Sequence, residues 1–175
     1  MMKKVRIALI STGGTIEKTY CAHDGALRND GSVLDLLLSK LVTSDLEIER
    51  IALLDKDSLE MTDAEHEQIA ETVGGVADSI DGVVVVHGTD RPAVTGERIF
   101  TRLEAYGGQR VPVVLTGAMR PFELRSSDAL QNMTEALLAV RLLDPGVYCV
   151  MHGRILEFPG VVKDAELGTF VRMHD

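Results

Sequence analysis

The chain has 175 residues, of which 45% are hydrophobic and 26% charged, a length and composition that suit one soluble globular domain with its own core. Eighteen basic and 27 acidic residues give a formal net charge of -9, which repels phosphate backbones and anionic lipid surfaces. We therefore expect neither a nucleic-acid partner nor a membrane partner. Cys21 and Cys149 have neither metal-type spacing nor the pattern of a disulfide framework, so a cytoplasmic location is the default.

Apolar runs rich in valine and isoleucine alternate with helical patterns along the chain. Their apolar character is continuous, which suits strands buried on both faces, as in a parallel sheet. The predicted strands are Val5–Ile10, Ile48–Leu54, Gly82–Val86, Val111–Leu115 and Gly146–Met151.

Four segments between these strands predict helices. The first is SVLDLLLSKL, the second begins with Thr62 and Glu65 in capping-box register, the third has Pro92 in its first turn, and the fourth starts near Ser127. The apolar faces of the last three are formed by Ile69, Val73, Val76 and Ile80, by Ile99, Leu103 and Tyr106, and by Leu130, Met133, Leu137 and Val140. The alternation predicts a single α/β domain with a doubly wound, mostly parallel sheet flanked by helices, Rossmann-like or flavodoxin-like.

Polar clusters follow three of the predicted strands. STGGT follows the first, HGTD follows GVVVV, and TGAMRP follows VPVVL. Open α/β sheets bind ligands in the crevice beyond the carboxyl ends of their strands. The sequence therefore predicts that Thr12, Thr89, Asp90 and Thr116 converge on one site.

Several common chemistries do not fit these clusters. GGTIEKT has Glu17 where a P-loop needs glycine, and HEQIA has Ala70 where a zinc-protease helix needs its second histidine. We therefore interpret His66 as a solvated helix residue and predict no metal site. Since the G-x-S-x-G elbow is also missing, threonine chemistry remains, with Lys163 and Tyr20 as candidate bases.

Structural roles are the alternative for each of these residues taken singly. Thr12, Thr15 and Thr89 can cap helices or turns, and Gly13 and Gly14 can form a tight connection. Taken together, two threonine-containing loops, one followed by an acid, carry more polar groups than capping requires.

STGGTI, HGTD and LTGAMRP, followed by SSDALQN, resemble the signatures of the bacterial-type L-asparaginases in order and spacing. The resemblance covers essentially the whole chain, but only the amino-terminal domain of the usual family member. It implies a single catalytic domain over residues 1–175, with the usual carboxy-terminal domain absent.

The resemblance implies hydrolysis of L-asparagine to L-aspartate and ammonia through a threonine-linked acyl intermediate, without a cofactor. Thr12 matches the attacking threonine of the first motif. Thr89, Asp90 and Lys163 match a triad in which lysine takes the hydroxyl proton and aspartate holds the lysine. Which threonine attacks first is left open, and Tyr20 falls, by a loose alignment, in the segment that forms the family's lid.

The substrate-binding residues implied by the resemblance come from four loops. Asp90 pairs with the substrate ammonium, and Ser58 binds its carboxylate. Leu59 stands where many members have glutamine or serine, and Arg91 replaces the usual threonine after HGTD. The complete implied set is Gly13, Ser58, Leu59, Gly88, Thr89, Asp90, Thr116, Gly117 and Ala118.

Two further questions concern partners and substrate choice. A homo-oligomer, dimer or tetramer, is expected because family members are oligomeric and a neighbour can cover the site of a lone domain. A glutaminase or other small-amide hydrolase is the alternative within enzymes, since one methylene in a pocket is worth only about 1–3 kcal/mol. A module that binds aspartate or asparagine without turnover is the alternative outside enzymes.

Overall fold

The computed structural model describes residues 4–29 and 33–173. In chain order its strands and helices are β1 (Val5–Gly13), β2 (Lys18–Cys21), β3 (Ala26–Asn29), α1 (Leu34–Leu38), β4 (Leu46–Lys56), α2 (Asp63–Val76), β5 (Gly82–Val86), α3 (Pro92–Ala105), β6 (Pro112–Thr116), α4 (Ala129–Leu142), β7 (Gly146–Met151), β8 (Arg154–Glu157), β9 (Val161–Asp164) and β10 (Thr169–Arg172). Short 3-10 turns occupy Thr15–Glu17 and Ser58–Glu60.

Six of these strands form the central sheet, in the order β4-β1-β5-β6-β7-β8. The first five are parallel, and β8 is antiparallel to β7. Numbered along the chain, the parallel strands have the order 2-1-3-4-5, which is the flavodoxin-like arrangement. The predicted doubly wound, mostly parallel fold is confirmed, and its strand order reverses between β1 and β5.

Helices cover both faces of this sheet. Residues of α2 and α3 pack with Ala8, Ile10 and Val85 in one core cluster, while residues of α1 and α4 pack with Ile7 and Leu9 in the other. Neighbouring side chains of β1 thus enter opposite cores, as expected for a strand with two buried faces. This two-sided packing holds the carboxyl ends of β1 and β5 in place.

The edge of the sheet departs from the sequence prediction. The prediction that the strand at Ile48–Leu54 is buried on both faces is wrong, because β4 is the edge strand and most of its residues are partly or fully exposed. The predicted lid is the segment CAHDGALRNDG after Tyr20, and its last two residues, Asp30 and Gly31, lie outside the described residues. The part before them belongs to the antiparallel hairpin of β2 and β3. Another hairpin, of β9 and β10, carries Lys163.

The helices follow their predicted starting points closely. Thr62 caps α2 in a capping box with Glu65, and Pro92 occupies the first turn of α3. The fourth helix begins at Ala129, two residues after the predicted start. Tyr106 does not share the buried face of α3: it follows the helix, is largely exposed and packs its ring against the Arg102 guanidinium.

Candidate functional site

The loops that follow β1 and β5 touch each other at the point where the strand order reverses. A side chain at Gly14 would place its Cβ 2.5 Å from the Gly88 Cα, and Gly14 has a left-handed φ of 84°. Only glycine satisfies both conditions without strain. The STGG and HGTD segments are therefore in backbone contact, in the crevice where such sheets bind ligands.

An ion pair joins this crevice to the β9–β10 hairpin. Lys163 Nζ donates to Asp90 Oδ1 at 2.7 Å, although the two residues are 73 positions apart in sequence. Both side chains are partly exposed, so solvent and small molecules reach the pair. The structure thus brings a primary amine next to the residue that follows Thr89.

Ser58 lies directly beneath the HGTD loop. It is fully buried, and its Oγ accepts a hydrogen bond from the Asp90 backbone N–H at 3.3 Å. A Cβ at Gly88 would lie 2.5 Å from this Oγ, so glycine is needed there for the two segments to approach. Leu59, the next residue, is 60% exposed and faces solvent.

The two threonines of the site differ in their surroundings. Thr12 is fully buried at the end of β1, and its hydroxyl donates to the Val86 carbonyl at 2.9 Å. Thr89 is 6% exposed in the loop between β5 and α3. If Thr12 is the nucleophile, its hydroxyl must first break the hydrogen bond to the Val86 carbonyl.

The loop after β6 borders the crevice with its backbone rather than with its side chains. Thr116 donates its hydroxyl to the Val150 carbonyl at 2.9 Å, toward β7 and away from β5. A Cβ at Gly117 would overlap the His87 carbonyl oxygen, so this loop also packs closely on the HGTD segment. Ala118 is buried in the core between the sheet and α4.

Tyr20 and Arg91 lie at the periphery of these loops. Tyr20 is 61% exposed on β2, and within residues 4–29 and 33–173 its hydroxyl has no hydrogen-bond partner. Its backbone N–H donates to the Glu123 carboxylate at 2.7 Å, which ties the hairpin to the loop before α4. Arg91 is exposed at the start of α3, as expected for a long basic side chain. In this conformation Tyr20 is not joined to either threonine.

Sequence reasoning missed a buried histidine pair below the site. The interpretation of His66 as solvated is wrong: the side chain is fully buried, with Nδ1 at 2.7 Å from Thr95 Oγ1. The same hydroxyl lies 2.7 Å from Nε2 of His87, and burial lowers the pKa of His87 to about 4. His66 precedes Ile69 and Val73 by three and seven positions, so its place on the buried face was readable from the helical period.

A buried carboxyl group was also missed. Glu17 ends the turn after the glycines, is 4% exposed, and its Oε1 has no hydrogen-bond partner among the described residues. Burial, followed by the negative charge of Asp55, raises the pKa of Glu17 to about 7. Glu17 is thus a carboxyl that titrates near neutral pH under the first motif.

The TGAMRP loop is held by a polar network around Asp128. This carboxylate accepts from the backbone N–H groups of Met119 and Arg120 at 3.0 and 3.1 Å, and it contacts His152 Nε2 at 2.7 Å. Asn132 Nδ2 donates to the Gly117 carbonyl at 2.9 Å. Asp128 and Asn132 belong to the SSDALQN segment, and their i, i+4 spacing places both on one helix face.

The structure gives no candidate for a metal centre within the residues it describes, where no group of three or more histidines, cysteines or acids could hold an ion. Over the same residues no helix is both long and apolar enough to cross a membrane.

Comparison with known proteins gives consistent matches over nearly the whole chain. The family model for the amino-terminal domain of asparaginase matches residues 6–166. An L-asparaginase of Thermococcus kodakarensis is 32% identical over 94% of this chain and 49% of the relative. Subunits D of glutamyl-tRNA(Gln) amidotransferase from Methanococcus vannielii and Aeropyrum pernix are 32% and 34% identical, over 85% of this chain and 34% and 35% of theirs.

Solved structures agree with the sequence matches. The thermostable L-asparaginase from Thermococcus kodakarensis superposes with a TM-score of 0.83 at 29% identity, over 96% of this chain and 51% of that one. A probable cytoplasmic L-asparaginase from Campylobacter jejuni gives 0.77 at 29% identity, over 97% and 52%. The chain spans about half the length of these L-asparaginases and about a third of the amidotransferase subunits. With its motifs at the switch point of the sheet and a family match over residues 6–166, the chain belongs to the asparaginase family, in the part that forms the amino-terminal domain.

Proposed function

We propose that this chain is an amidohydrolase that converts L-asparagine and water to L-aspartate and ammonia through an acyl-enzyme intermediate on a threonine. The observation that carries the proposal is the 2.7 Å pair of Lys163 Nζ and Asp90 Oδ1, directly after Thr89 in the switch-point crevice. The membership of the family and the likeness to two L-asparaginases support the same reaction.

The proposed chemistry begins with a threonine hydroxyl. Lys163, in its neutral form, takes the proton of the Thr89 hydroxyl while Asp90 holds the amine in place. The threonine oxygen, from Thr89 or from Thr12, adds to the side-chain amide carbon, and the developing oxyanion is stabilised by backbone N–H groups of the glycine-rich loops. The amide nitrogen leaves as ammonia after protonation, and water then hydrolyses the ester to release aspartate and the free hydroxyl.

Recognition of a zwitterionic amino acid fits the groups present. The Asp90 carboxylate uses Oδ1 for Lys163, which leaves Oδ2 for the substrate ammonium. In this proposal Ser58, whose Oγ accepts from the Asp90 N–H, binds the substrate carboxylate. The exposed Leu59 offers no hydrogen bond, so we expect this side of the substrate to be held less firmly than by a polar residue.

A second candidate is favoured by the amidotransferase relatives, whose identity to this chain matches that of the asparaginase relative. In this alternative the same threonine chemistry releases ammonia from a different amide, such as glutamine, for use by a partner protein. The primary proposal also includes assembly of the chain into a homo-oligomer, a dimer or tetramer, and action in the cytoplasm.

The experiment is ammonia release by the purified chain from L-asparagine, L-glutamine and a panel of short amides. The proposal predicts release from asparagine at the highest kcat/KM. Higher kcat/KM for glutamine supports the second candidate instead. If no amide yields ammonia but L-aspartate still raises the melting temperature, the chain is a binding module and the proposed hydrolysis is wrong.

A further inference from the structure

Two buried imidazoles and one hydroxyl form a continuous chain of contacts below the HGTD loop. His66 Nδ1 and His87 Nε2 each lie 2.7 Å from Thr95 Oγ1, and the two rings are nearly parallel, at 13°, with centroids 6.2 Å apart. His87 Nδ1 lies 2.8 Å from the Gly88 carbonyl oxygen. The three side chains come from α2, the loop after β5, and α3, and all are buried.

The hydrogen-bond partners fix where each proton sits. The Gly88 carbonyl can only accept, so His87 Nδ1 must carry a hydrogen. Because burial lowers the pKa of His87 to about 4, its ring is neutral at pH 7 and Nε2 is an acceptor. The hydroxyl of Thr95 therefore donates to His87 Nε2.

The same logic extends to His66. Since the single proton of the Thr95 hydroxyl is used on His87, Thr95 Oγ1 accepts from His66 Nδ1–H. Burial, then the positive charges of Arg91 and Arg98, lower the pKa of His66, so this ring is neutral too. Its Nε2 then carries a lone pair and no hydrogen. This agrees with the absence of a hydrogen-bond partner for Nε2 among the described residues, because a buried N–H without a partner is avoided.

We propose that His66 is a positioning residue that acts through Thr95 and His87 to fix the orientation of the Gly88–Thr89 peptide. This peptide is trans, so its C=O and N–H point in opposite directions. With the Gly88 oxygen held against the buried His87 ring, the Thr89 N–H is directed away from that ring. The catalytic consequence of this orientation, a fixed N–H donor for substrate or oxyanion, rests on the proposed function.

His66 is needed because Thr95 has another acceptor. The Arg91 carbonyl lies 3.4 Å from Thr95 Oγ1, and a hydroxyl turned to it would accept from His87 Nε2–H instead. His87 Nδ1 would then present a lone pair to the Gly88 oxygen, and the repulsion would release the peptide. The Nδ1–H of His66 favours the first arrangement, because it holds the Thr95 oxygen 2.7 Å from both rings and because a hydroxyl that accepts a hydrogen bond becomes a stronger donor to His87 Nε2.

The first test is the tautomeric state of both rings, measured by long-range ¹H–¹⁵N NMR on the intact chain at pH 7. The proposal predicts neutral Nδ1–H tautomers for His66 and His87, whereas the Nε2–H form predominates for free histidine in water. An Nε2–H tautomer or a charged ring at either position overturns it. This readout needs no substrate, so it stands whether or not the chain hydrolyses asparagine.

The second test compares His66→Leu, which removes the donor, with His66→Asn, whose amide N–H can replace Nδ1–H. We expect His66→Leu to change the His87 tautomer or broaden its signals, and to lower kcat about tenfold with KM changed less than threefold. His66→Asn should restore the His87 Nδ1–H signal and most of kcat. An unchanged His87 spectrum in His66→Leu contradicts the positioning role. So does a His66→Asn variant that restores neither the His87 Nδ1–H signal nor kcat.

Val73→Ala is the matched control for lost stability. Val73 is buried on the same face of α2 but takes no part in these hydrogen bonds. It should lower the melting temperature while the His87 tautomer and kcat stay as in the parent chain. If Val73→Ala shifts the tautomer as His66→Leu does, the effect is general loosening and the proposal is wrong. A parent chain with the predicted tautomers but no amidase activity refutes the proposed function alone.

Discussion

Thr12 lies at the end of β1 and Thr89 follows the neighbouring parallel strand β5, and both are buried beside the crevice at the switch point. We predict that Thr12→Ala and Thr89→Val each lower turnover of asparagine by at least about a hundredfold, because each removes a group that acts in the transition state. Steady-state ammonia release checks this, with circular dichroism as the control for folding. Thr134→Val is the matched comparison and should leave turnover unchanged, since this exposed hydroxyl donates to the Leu130 carbonyl on α4. Full activity of Thr89→Val would remove the assigned triad.

Glu17 makes stability depend on pH around neutrality. Its carboxyl has a pKa of about 7 in the folded chain against an ordinary value of 4.5, so the folded state holds the proton more tightly than the unfolded state does. The resulting stability is complete below pH 4.5 and is lost as the pH rises through 7. The full shift corresponds to a difference on the order of 3 kcal/mol.

Glu17→Gln keeps the size of the side chain and removes its titration. We expect the variant to exceed the parent chain in free energy of unfolding by about 1–3 kcal/mol at pH 8 and to differ little at pH 5. Urea unfolding of both chains at both pH values measures this difference in free energy. The contributions of the other titrating groups are the same in both chains and cancel. A variant less stable than the parent at pH 8 would show that the carboxylate is stabilised in the fold.

Single residues also show where sequence reasoning stops. The pairing of Asp90 with Lys163 was accessible through the family motifs, although no local pattern links positions 73 apart. The prediction for His66 followed from its residue type, since histidine is often solvated, and not from its position on the helix. The helical period of three and four residues places His66 on the same face as Ile69 and Val73. Glu17 was judged only as an obstacle to phosphate, so its burial went unpredicted.

Close packing between loops makes glycine obligatory at the crevice. We predict that Gly117→Ala destabilises the chain by about 1–3 kcal/mol and impairs activity, because the added Cβ meets the His87 carbonyl oxygen. Chemical denaturation and ammonia release check this.

Gly75→Ala is the comparison for the same change in a helix. Gly75 lies in α2 with nothing within 4 Å of an added Cβ, so alanine should stabilise by about 0.5–1 kcal/mol with unchanged activity. If both substitutions changed stability and activity equally, the contact of Gly117 with the His87 carbonyl would not be what requires glycine there.

Element prediction succeeded where the hydrophobic pattern was long and failed where it was short. The strands β1, β5, β6 and β7 and the helices α2 to α4 were identified because each buries a continuous run or a regular face, whereas β4 was identified from its apolar run alone. The β2–β3 and β9–β10 hairpins have strands of four residues with mixed polarity, and their pairing depends on contacts distant in sequence. The exposure of β4 was missed because strand order, not the apolar run, decides which strand lies at an edge.

At the scale of the whole molecule, an apolar groove lies between α4 and β8. Leu138, Leu142 and Ile155 are more than half exposed there. We predict a homo-oligomer, dimer or tetramer, in which such surface is covered. Sedimentation equilibrium measures the mass, and Leu142→Glu should lower the association state. A monomer at every concentration tested would refute the oligomer prediction without touching the chemistry of the crevice.

We propose that an amine from the β9–β10 hairpin activates a threonine hydroxyl held at the switch point of the sheet. The most direct measurement is kcat for asparagine in Lys163→Met, compared with the parent chain and with Lys40→Met, which removes the same charge from an exposed position. We expect kcat to fall by at least about a hundredfold in Lys163→Met and to change little in Lys40→Met. A folded Lys163→Met chain that releases ammonia at the parent rate would contradict it.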